Sequence, residues 1–511
     1  MPFITEILPS KGLNANAPAE YILEGMTPQV KNIDIRQLCI GKRAGTSIFQ
    51  TTAIAGEPKD IMAIVSFMRD SAQNTLRIGC QKAEAYRSGV LEWSDVTGSA
   101  DFTGTTKEPI AATIAFDNDG LPILIFTNFL DPIKKYSGVY VEELGGEPPR
   151  AKYVQAFGPY LVTAYINDGT KVLQNRVDWC DTGNIEKWDG GNAGGIVLTD
   201  EQNDEGITGL NLFGNYLCVH KARSIYLGTL IANEAVIDFE RKPNVVGTVC
   251  NNTIQNLPTG EQIYLSKDGI MVFNGISSSL IEAPMQDEIR QGLNPEYVHR
   301  CWSQLVSERD EYWVGVPIGN QMLPETVYKF NYLTRVVYKD DRLKITAAGS
   351  TFQAENVIID SVRIPIEEVL GRFDDNTLKS QSKVVVFGDA DGNTTIYDAK
   401  ISSDSGTAIE SIYETKDYCI EQGRTARWKG IKVWAKGNSL NIEHSFDGGI
   451  TWKGGKELIL GSEYPSFMAP KIYYFDGVSD RVRFRFMNNK PGETWEMKQY
   501  QIEYAPREKI A

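Results

Sequence analysis

Apolar residues along this chain fall into short runs separated by turn residues, and the runs recur at a regular spacing. They are centred near Ile64, Ile114, Tyr264 and Tyr312, and two more follow a repeated pentapeptide, Phe157-Gly158-Pro159-Tyr160-Leu161 and Phe213-Gly214-Asn215-Tyr216-Leu217. Neighbouring runs are about 46 to 56 residues apart, a period typical of propeller blades. Each such unit is a small antiparallel sheet that cannot bury both of its faces alone, so the pattern predicts stacked blades.

Turn residues between the runs predict hairpins within the blades. Asp-Gly and Asn-Gly pairs supply the positive φ of tight hairpin turns, and turn sequences stand at 117–120, 167–169, 267–269 and 389–393. Six strand pairs are readable between about residues 55 and 340, and 384–387 with 395–397 is a candidate seventh. Helical patterning is confined to 285–293 and 366–370. The sequence therefore predicts an all-β protein with an irregular six- or seven-bladed β-propeller, without a WD or kelch signature.

The two ends of the chain differ from this middle part. Early Pro, Gly and Asn residues interrupt regular structure in residues 1–50, so we expect an N-terminal arm with the first strands there, and the propeller over 51–400. From 401 to 511 the strands become longer and alternate more cleanly, as in 430–435, 439–445, 481–486 and 500–504. Period-two alternation with one apolar face predicts a C-terminal β-sandwich.

The net charge of −14 bears on the partners of the protein. It argues against a tight, sequence-general grip on nucleic acid, which needs a concentrated basic surface. An acidic wall would suit a channel through which DNA slides, but acidity also simply keeps a large protein soluble, and both interpretations stay open. The chain has no apolar run of about 18 residues and does not begin like a secretory signal, so we expect neither a membrane span nor a leader.

The cysteines and histidines predict no metal or redox chemistry. The seven cysteines form no C-x-x-C pair and mostly stand among apolar residues, which favours buried free thiols made in a reducing cytosol. The three histidines, His220, His299 and His444, lack zinc-like spacing to any cysteine. We therefore expect no zinc site, no histidine-based triad and no cofactor.

One motif is matched at all of its fixed positions. Residues 445–452 follow the Asp-box pattern S-x-D-x-G-x-T-W, through Ser445, Asp447, Gly449, Thr451 and Trp452. The pattern is familiar from sialidases, where it is a hairpin away from the catalytic centre. Its Asp binds turn amides, its Gly takes a positive φ and its Trp packs under the turn. Since neither an ordered set of arginines nor a tyrosine nucleophile is readable, we predict a structural hairpin and no catalytic residues.

A Trp- and Gly-rich stretch at 179–199 is the main candidate for an interaction loop. It fits either a glycan or nucleotide platform or an inter-blade loop whose tryptophans cover apolar surface. It is not a P-loop, because no Gly-Lys-Ser/Thr follows 190–195. We assign six residues of this region to a lumen or interface loop: Trp179, Asp181, Trp188, Asp189, Asp200 and Glu201.

Two other patterns are an alternation of oxygen-bearing residues and a row of arginines. Residues 389–393 alternate oxygen ligands as a calcium loop does, but Gly392 comes too early and no Glu stands at the twelfth position, so we predict a turn. Arg481, Arg483 and Arg485 fall on one face of a predicted strand. That face is either solvated or a docking surface for an acidic neighbour, and the sequence favours neither.

Taken in order, several segments resemble a known group of proteins. They are 12–14, 24–26, 32–34, 41–46, 175–179, Trp188 with 194–195, 207–210, 215–217 and 221–226. Their arrangement looks like that of the propeller-type tail proteins of short-tailed bacteriophages, the tail nozzle or packaged-DNA stabilisation proteins. The similarity spans roughly residues 10–280 and is one of pattern. Arg43-Ala44-Gly45 departs from the usual Arg-Pro-Gly of that group, and the C-terminal sandwich is only loosely matched.

The resemblance implies a non-enzymatic structural protein of the virion tail, assembled in the host cytoplasm. Members of the group form a ring of six below the portal and adaptor, retain the packaged double-stranded DNA and then conduct it, and carry tail fibres or tailspikes outside. The alternative is a glycan-binding or sialidase-like receptor-binding tail protein, suggested by the propeller, Asp box and sandwich together. A buried arginine cluster or an acid pair in the central pocket of the propeller would favour that alternative.

Overall fold

The structure is a computed structural model that describes residues 3–7, 11–36, 39–70, 72–87, 92–199, 205–231, 236–281, 285–342, 344–354, 381–420, 424–461 and 469–507. Strands dominate these ranges. The α-helix α1 spans Gln286–Gly292, and 3₁₀ turns occur at Asn251–Thr253, Val298–Arg300 and Ser307–Arg309. The helix predicted at 285–293 is confirmed, and the one predicted at 366–370 lies outside the described residues.

Seven short strands precede the repeating part of the chain. They are β1 (Phe3–Ile7), β2 (Gly12–Leu13), β3 (Met26–Thr27), β4 (Val30–Lys31), β5 (Ile33–Arg36), β6 (Cys39–Lys42) and β7 (Gly45–Gln50). Strands β2 and β3 pair with each other in parallel, whereas the remaining five join sheets made by later parts of the chain. The segment 1–50, for which we expected an arm with the first strands, therefore supplies strands to both large units of the protein.

Six consecutive four-stranded antiparallel sheets follow, each formed by strands adjacent in sequence. Blade 1 contains β8 (Ile61–Arg69), β9 (Ala72–Gly79), β10 (Ala83–Arg87) and β11 (Trp93–Asp95). Blade 2 contains β12 (Ala111–Phe116), β13 (Pro122–Thr127), β14 (Lys134–Tyr136) and β15 (Val141–Glu143). Blade 3 contains β16 (Arg150–Phe157), β17 (Tyr160–Asn167), β18 (Val172–Trp179) and β19 (Gly194–Val197).

The next three sheets repeat the same order. Blade 4 contains β20 (Ile207–Phe213), β21 (Tyr216–Lys221), β22 (Ser224–Leu230) and β23 (Ile237–Lys242). Blade 5 contains β24 (Gln255–Asn256), β25 (Gln262–Ser266), β26 (Gly269–Phe273) and β27 (Ser278–Leu280). Blade 6 contains β28 (Trp302–Val306), β29 (Glu311–Val316), β30 (Thr326–Asn331) and β31 (Val337–Asp341).

Blade 7 is built from both ends of the propeller. Its strands β32 (Ile345–Ala354), β33 (Gln381–Asp389) and β34 (Thr394–Asp398) are followed by β7 from the N-terminal segment, with β35 (Ser403–Asp404) and β36 (Thr407–Ala408) at its margin. The candidate strands 384–387 and 395–397 lie in this blade, so the described residues form seven blades. Contact between β32 and β8, the first strands of blades 7 and 1, closes the ring.

The apolar runs of the sequence are the inner strands of the blades. In blade 5 every residue of β25 and β26 is buried, because neighbouring blades cover both faces of the sheet. The two copies of the repeated pentapeptide occupy equivalent places. In each, the first strand of the blade ends at the Phe, the second begins at the Tyr, and Gly158 and Gly214 take φ values of 56° and 57° between them.

A β-sandwich follows the propeller. Its strands are β37 (Ser411–Glu414), β38 (Tyr418–Cys419), β39 (Ala426–Gly437), β40 (Ser439–Ser445), β41 (Lys453–Ile459), β42 (Lys471–Ser479), β43 (Arg481–Asn488) and β44 (Trp495–Pro506). One sheet has the order β42-β39-β44-β6-β5, with β1 also on β44; the other has the order β4-β37-β43-β40-β41, with β38 on β43. Alternate residues of β43 are buried, as the sequence pattern predicted.

The propeller and the sandwich share one hydrophobic core. The same buried cluster includes Val314 and Tyr328 of blade 6, Trp428 and Phe486 of the sandwich, and Ile33 of the N-terminal segment between them. The N-terminal strands thus pack against both units and join them through a continuous apolar interior.

Candidate functional site

The centre of the propeller holds a narrow cavity of about 350 Å³. Its polar lining consists of amides and hydroxyls: Ser66, Asn211, Asn251, Asn252, Gln255, Ser303, Gln304 and Ser350. Gln255 Nε2 donates to Ser303 Oγ at 3.1 Å, and Ser303 Oγ donates to the Asn252 carbonyl at 2.9 Å. Among the described residues that line this cavity there is no Asp, Glu, Lys, Arg or His. Several of its polar groups therefore tie blades 5 and 6 together.

The interaction loop predicted at 179–199 comprises the last residue of β18, the connection that follows it and strand β19, all in blade 3. It is organised by Asp181, whose Oδ1 accepts from the Thr182 and Asn192 amides at 2.9 and 2.8 Å. Asp181 Oδ2 accepts from Lys187 Nζ at 2.6 Å. These hydrogen bonds, Lys187 first, lower the pKa of Asp181 to about 2. Asp181 thus serves as a structural anion of the loop.

The two tryptophans of the loop are fixed by their ring nitrogens. Trp179 is 5% exposed and its Nε1 donates to the Asn192 carbonyl at 3.0 Å, whereas Trp188 is partly exposed and donates to the Ile185 carbonyl at 2.9 Å. Asp189 is exposed. The structure therefore brings Trp179, Asp181, Trp188 and Asp189 together in one loop, and the other two predicted residues, Asp200 and Glu201, lie outside the described part of the chain.

A groove of about 820 Å³ runs beside this loop, and we call it the blade 3 groove. It is lined by Glu147, Pro148, Pro149, Arg150, Asn167, Asp168, Gly169, Arg176, Asp178, Trp179, Trp188, Gly194 and Gly195. Arg176 Nε donates to Asp178 Oδ1 at 2.6 Å. Burial nevertheless outweighs this contact and raises the pKa of Asp178. Sequence reasoning found the tryptophans and glycines of the groove but missed Arg150 and Asn167, which come from different parts of blade 3.

The Asp box forms the hairpin between β40 and β41. Asp447 Oδ1 accepts from the Thr451 amide at 2.8 Å and Oδ2 accepts from the Thr451 hydroxyl at 2.5 Å. Ser445 Oγ accepts from the Gly449 amide at 2.9 Å, and Gly449 has a φ of 90°. The Arg485 guanidinium lies over the Trp452 ring, with its carbon 3.9 Å from the ring centroid. Each motif residue therefore has a contact within the sandwich that accounts for it.

The arginines of β43 are paired within the chain. Arg483 binds the Asp417 carboxylate through Nε and Nη2 at 2.7 and 3.0 Å, and Arg485 binds Glu414 Oε1 at 2.8 and 2.6 Å. Arg481 reaches Glu20 Oε2 at 3.1 Å. These contacts commit the three charges to intramolecular carboxylates and link the sandwich to the N-terminal segment.

The turn at 389–393 uses its oxygens on backbone amides. Asp389 Oδ1 accepts from the amides of Asp391 and Asn393 at 2.9 and 2.7 Å, and Asp391 pairs with Lys344 at 2.6 Å.

Within the described ranges, no group of three or more His, Cys, Asp or Glu residues is arranged to hold a metal ion. No helix in those ranges is long and apolar enough to cross a membrane.

A cluster of buried charges lies where the N-terminal segment meets blades 6 and 7; we call it the junction cluster. Four carboxylates and four cations form it: Asp34, Glu311, Asp340, Asp404, Arg43, Arg309, Lys329 and Arg342. Lys329 bridges Asp34 Oδ1, at 3.1 Å, and the carboxylate of Asp340. The equal numbers of opposite charges offset the cost of burying them. A lysine within the apolar strand 327–330 was the sequence signal for this cluster, and sequence reasoning missed it.

Arg342 occupies an aromatic cage within the junction cluster. Its guanidinium carbon lies 5.2 Å from the ring centroid of Trp313, 5.1 Å from Phe387 and 5.8 Å from Tyr397. The side chain is 1% exposed. Burial and the nearby charge of Arg43 lower the pKa of Arg342, and the negative faces of the rings offset part of that cost.

The comparison with solved structures finds distant neighbours. Neither a family model nor a curated protein matches the chain. BBS1N, crystallised in complex with ARL6DN, matches in two crystals at 9% and 10% identity and TM-scores of 0.38 and 0.39, over 70% of this chain and 98% of that one. An exo-β-1,3-galactanase from Phanerochaete chrysosporium, determined with galactose, matches at 10% identity and a TM-score of 0.27, over 91% of this chain and 100% of that one. Similarities this low carry no argument about function.

Proposed function

We propose that this protein is the tail nozzle subunit of a short-tailed bacteriophage. Copies of the chain assemble into a ring of six below the portal and adaptor, and the ring retains the packaged double-stranded DNA and later conducts it. The outer surface carries tail fibres or tailspikes. The subunit acts by assembly and by a change of loop position at ejection, without a chemical reaction.

The observation that carries the proposal concerns the residues that bear the phage resemblance. In the structure, several of them join neighbouring blades or connect the propeller to the N-terminal segment. Asp34 and Arg43 belong to the junction cluster, and Gly12 packs so closely on blade 6 that a Cβ there would lie 2.5 Å from the Val337 carbonyl oxygen. Lys221 is 1% exposed and donates to the Leu198 carbonyl at 2.6 Å, which holds the connection between blades 3 and 4. These residues join blades and units, as expected of a rigid building block of a tube.

The charge balance supports a passive conduit. With a net charge of −14 the chain repels a phosphate backbone, so DNA would slide past it without tight binding. The conduit cannot be the propeller axis, because a cavity of about 350 Å³ is of small-ligand size. The DNA would instead pass through the middle of the ring of subunits. We assign the blade 3 loop, with its exposed Asp189, to the lumen or to the interface between subunits.

The sialidase-like alternative lacks a comparable observation. It requires an arginine cluster or an acid pair in the central pocket, and the described lining of that cavity is uncharged. The Asp box offers no further support for it, since its residues are engaged in a hairpin of the sandwich.

Particles assembled without this chain test the proposed role. Capsids that package DNA in its absence should lose that DNA to added nuclease, and adding the purified chain to them should restore protection. The Gly120→Ala variant is the control, because it changes an exposed turn where a Cβ would have no neighbour within 4 Å. This variant should also restore protection. Full DNA retention by particles lacking the chain would contradict the proposal.

A further inference from the structure

We propose that the blade 3 groove is a binding site for a neutral oligosaccharide. The inference goes beyond the proposed nozzle function and does not depend on it. It rests on an aromatic platform, on hydrogen-bonding groups that have no partner among the described residues and on the charge balance of the groove.

Trp188 provides the platform. The hydrogen bond from its Nε1 to the Ile185 carbonyl fixes the ring before any ligand arrives, and the residue is partly exposed. The C–H face of a sugar is apolar and slightly positive, so it stacks on the negative face of an indole. A ring that is already held loses little conformational entropy when it binds.

Glycines keep the floor of the groove open. A Cβ on Gly194 would lie 3.1 Å from the Trp179 ring, and one on Gly195 would lie 1.8 Å from Asp178 Oδ1. Because neither residue has a side chain, Trp179 and Asp178 lie directly against the backbone of β19. Larger residues here would displace both side chains and fill the groove.

Several polar groups of the groove are free to bind hydroxyls. Arg176 is 40% exposed and uses only Nε within the described part of the chain, which leaves Nη1 and Nη2 as donors. Among the described residues, Arg150 uses only Nη1, on the Leu130 carbonyl at 2.9 Å. Asn167 accepts from the Gly169 amide through Oδ1, so its Nδ2 can donate, while Asp178 Oδ2 can accept. Adjacent donors and acceptors suit sugar hydroxyls, which both donate and accept.

The charge of the groove selects among sugars. Its three carboxylates, on Glu147, Asp168 and Asp178, exceed its two guanidiniums, on Arg150 and Arg176. An anionic ligand would meet net repulsion, so a neutral sugar is favoured. The volume of about 820 Å³ accommodates more than one sugar ring. A glycan reaches the groove from solvent, so a neighbouring subunit that contacts the blade 3 loop must leave Trp188 uncovered.

A glycan array probed with the full-length chain, followed by titration calorimetry on the oligosaccharides it retains, tests the inference. Neutral oligosaccharides should be retained in preference to sialylated or phosphorylated ones. Trp188→Ala should weaken their binding at least tenfold. Arg176→Gln, at a side chain that is 40% exposed and whose replacement can still donate to Asp178, should weaken it several-fold. Trp452→Ala removes a tryptophan from the sandwich instead and should leave binding unchanged.

Three results would overturn the inference. They are an array that retains no neutral glycan, retention of acidic glycans alone, and equal affinity of the wild-type chain and the Arg176→Gln variant for every retained glycan. None of these results would bear on the nozzle proposal, which DNA retention tests separately.

Discussion

Arg43 binds the carboxylate of Asp404 through two hydrogen bonds, from Nη1 to Oδ1 at 3.0 Å and from Nη2 to Oδ2 at 2.6 Å. The two residues are 361 positions apart in the sequence. Arg43 follows the last N-terminal strand of the sandwich, and Asp404 lies in β35 at the margin of blade 7. This bidentate pair therefore ties the sandwich, the N-terminal segment and the closing blade of the propeller together.

Removing Arg43 should destabilise the protein strongly. Arg43→Met removes the cation that binds Asp404 and one of the three cations around Asp340, and losing one member of a buried pair costs about 3 kcal/mol. We expect the low end of the usual range because the Asp404 side chain is 35% exposed. The free energy of unfolding in urea measures the change. Lys344→Met, which removes an exposed partner of Asp391, should leave the urea midpoint unchanged; equal losses in both variants would contradict a special role of the junction cluster.

The stability of the protein should fall as the pH decreases from about 6.5 to about 4. Burial lowers the pKa of His220 to about 4, below the value of about 6.5 in an unfolded chain. The unfolded state then binds a proton that the folded state does not, so the stabilisation is complete above pH 6.5 and is lost as the pH falls through 4. His444, whose pKa burial also lowers to about 4, adds to the same trend.

The His220→Gln variant separates the two histidines. His220 Nε2 donates to Gln262 Oε1 at 2.7 Å, inside blades 4 and 5. Without His220, the loss of unfolding free energy between pH 7 and pH 4 should shrink by an amount on the order of 3 kcal/mol. Urea titrations at several pH values provide the measurement. An unchanged pH dependence would show that His220 does not titrate differently in the folded state.

The Asp box should stabilise its own hairpin, residues 445–452, without affecting the propeller. Asp447→Ala removes the acceptor of the Thr451 amide and hydroxyl, so amide hydrogen exchange in 445–452 should accelerate while exchange in the propeller stays constant. Asp476→Asn, which weakens an exposed pair with Arg427, should not affect the hairpin. Unaltered exchange in 445–452 of the Asp447→Ala variant would refute the structural role of the motif.

Closure of the propeller should depend on Gly45. A Cβ at this position would lie 2.0 Å from the Ser403 carbonyl oxygen, where β7 meets β35. Gly45→Ala should therefore strain blade 7, at a cost of about 1 to 3 kcal/mol, and the amides of β7 should exchange faster. Gly120→Ala carries only the conformational cost of a positive φ and should leave β7 unaffected. Normal exchange in β7 of the Gly45→Ala variant would contradict this mode of closure.

The blades could be predicted from the sequence because their signals are local. A run such as 263–265 is apolar throughout, and the turn that follows is encoded by adjacent residues, so period and turn chemistry suffice. The closing strand β7 could not be predicted in this way. It pairs with β34, roughly 350 residues away in the sequence, and no periodic pattern relates them.

The candidate sites were less predictable from the sequence than the blades, because most of them combine residues that are distant along the chain. The Asp box lies within one hairpin, and its pattern in the sequence corresponds directly to its hydrogen bonds. The blade 3 groove combines Trp188 with Arg150 and Asn167, which only the blade topology brings together. The junction cluster joins Asp34 to Lys329, and a single sequence gives no indication of such a pair beyond an unexpected charge in an apolar strand.

Cryo-electron microscopy of the assembled particle tests the nozzle proposal most directly. The account predicts six copies of this seven-bladed propeller and sandwich in a closed ring below the portal and adaptor, around an axial lumen wide enough for duplex DNA. A map in which the chain forms a peripheral appendage, or is absent from the wall of the DNA channel, would contradict it.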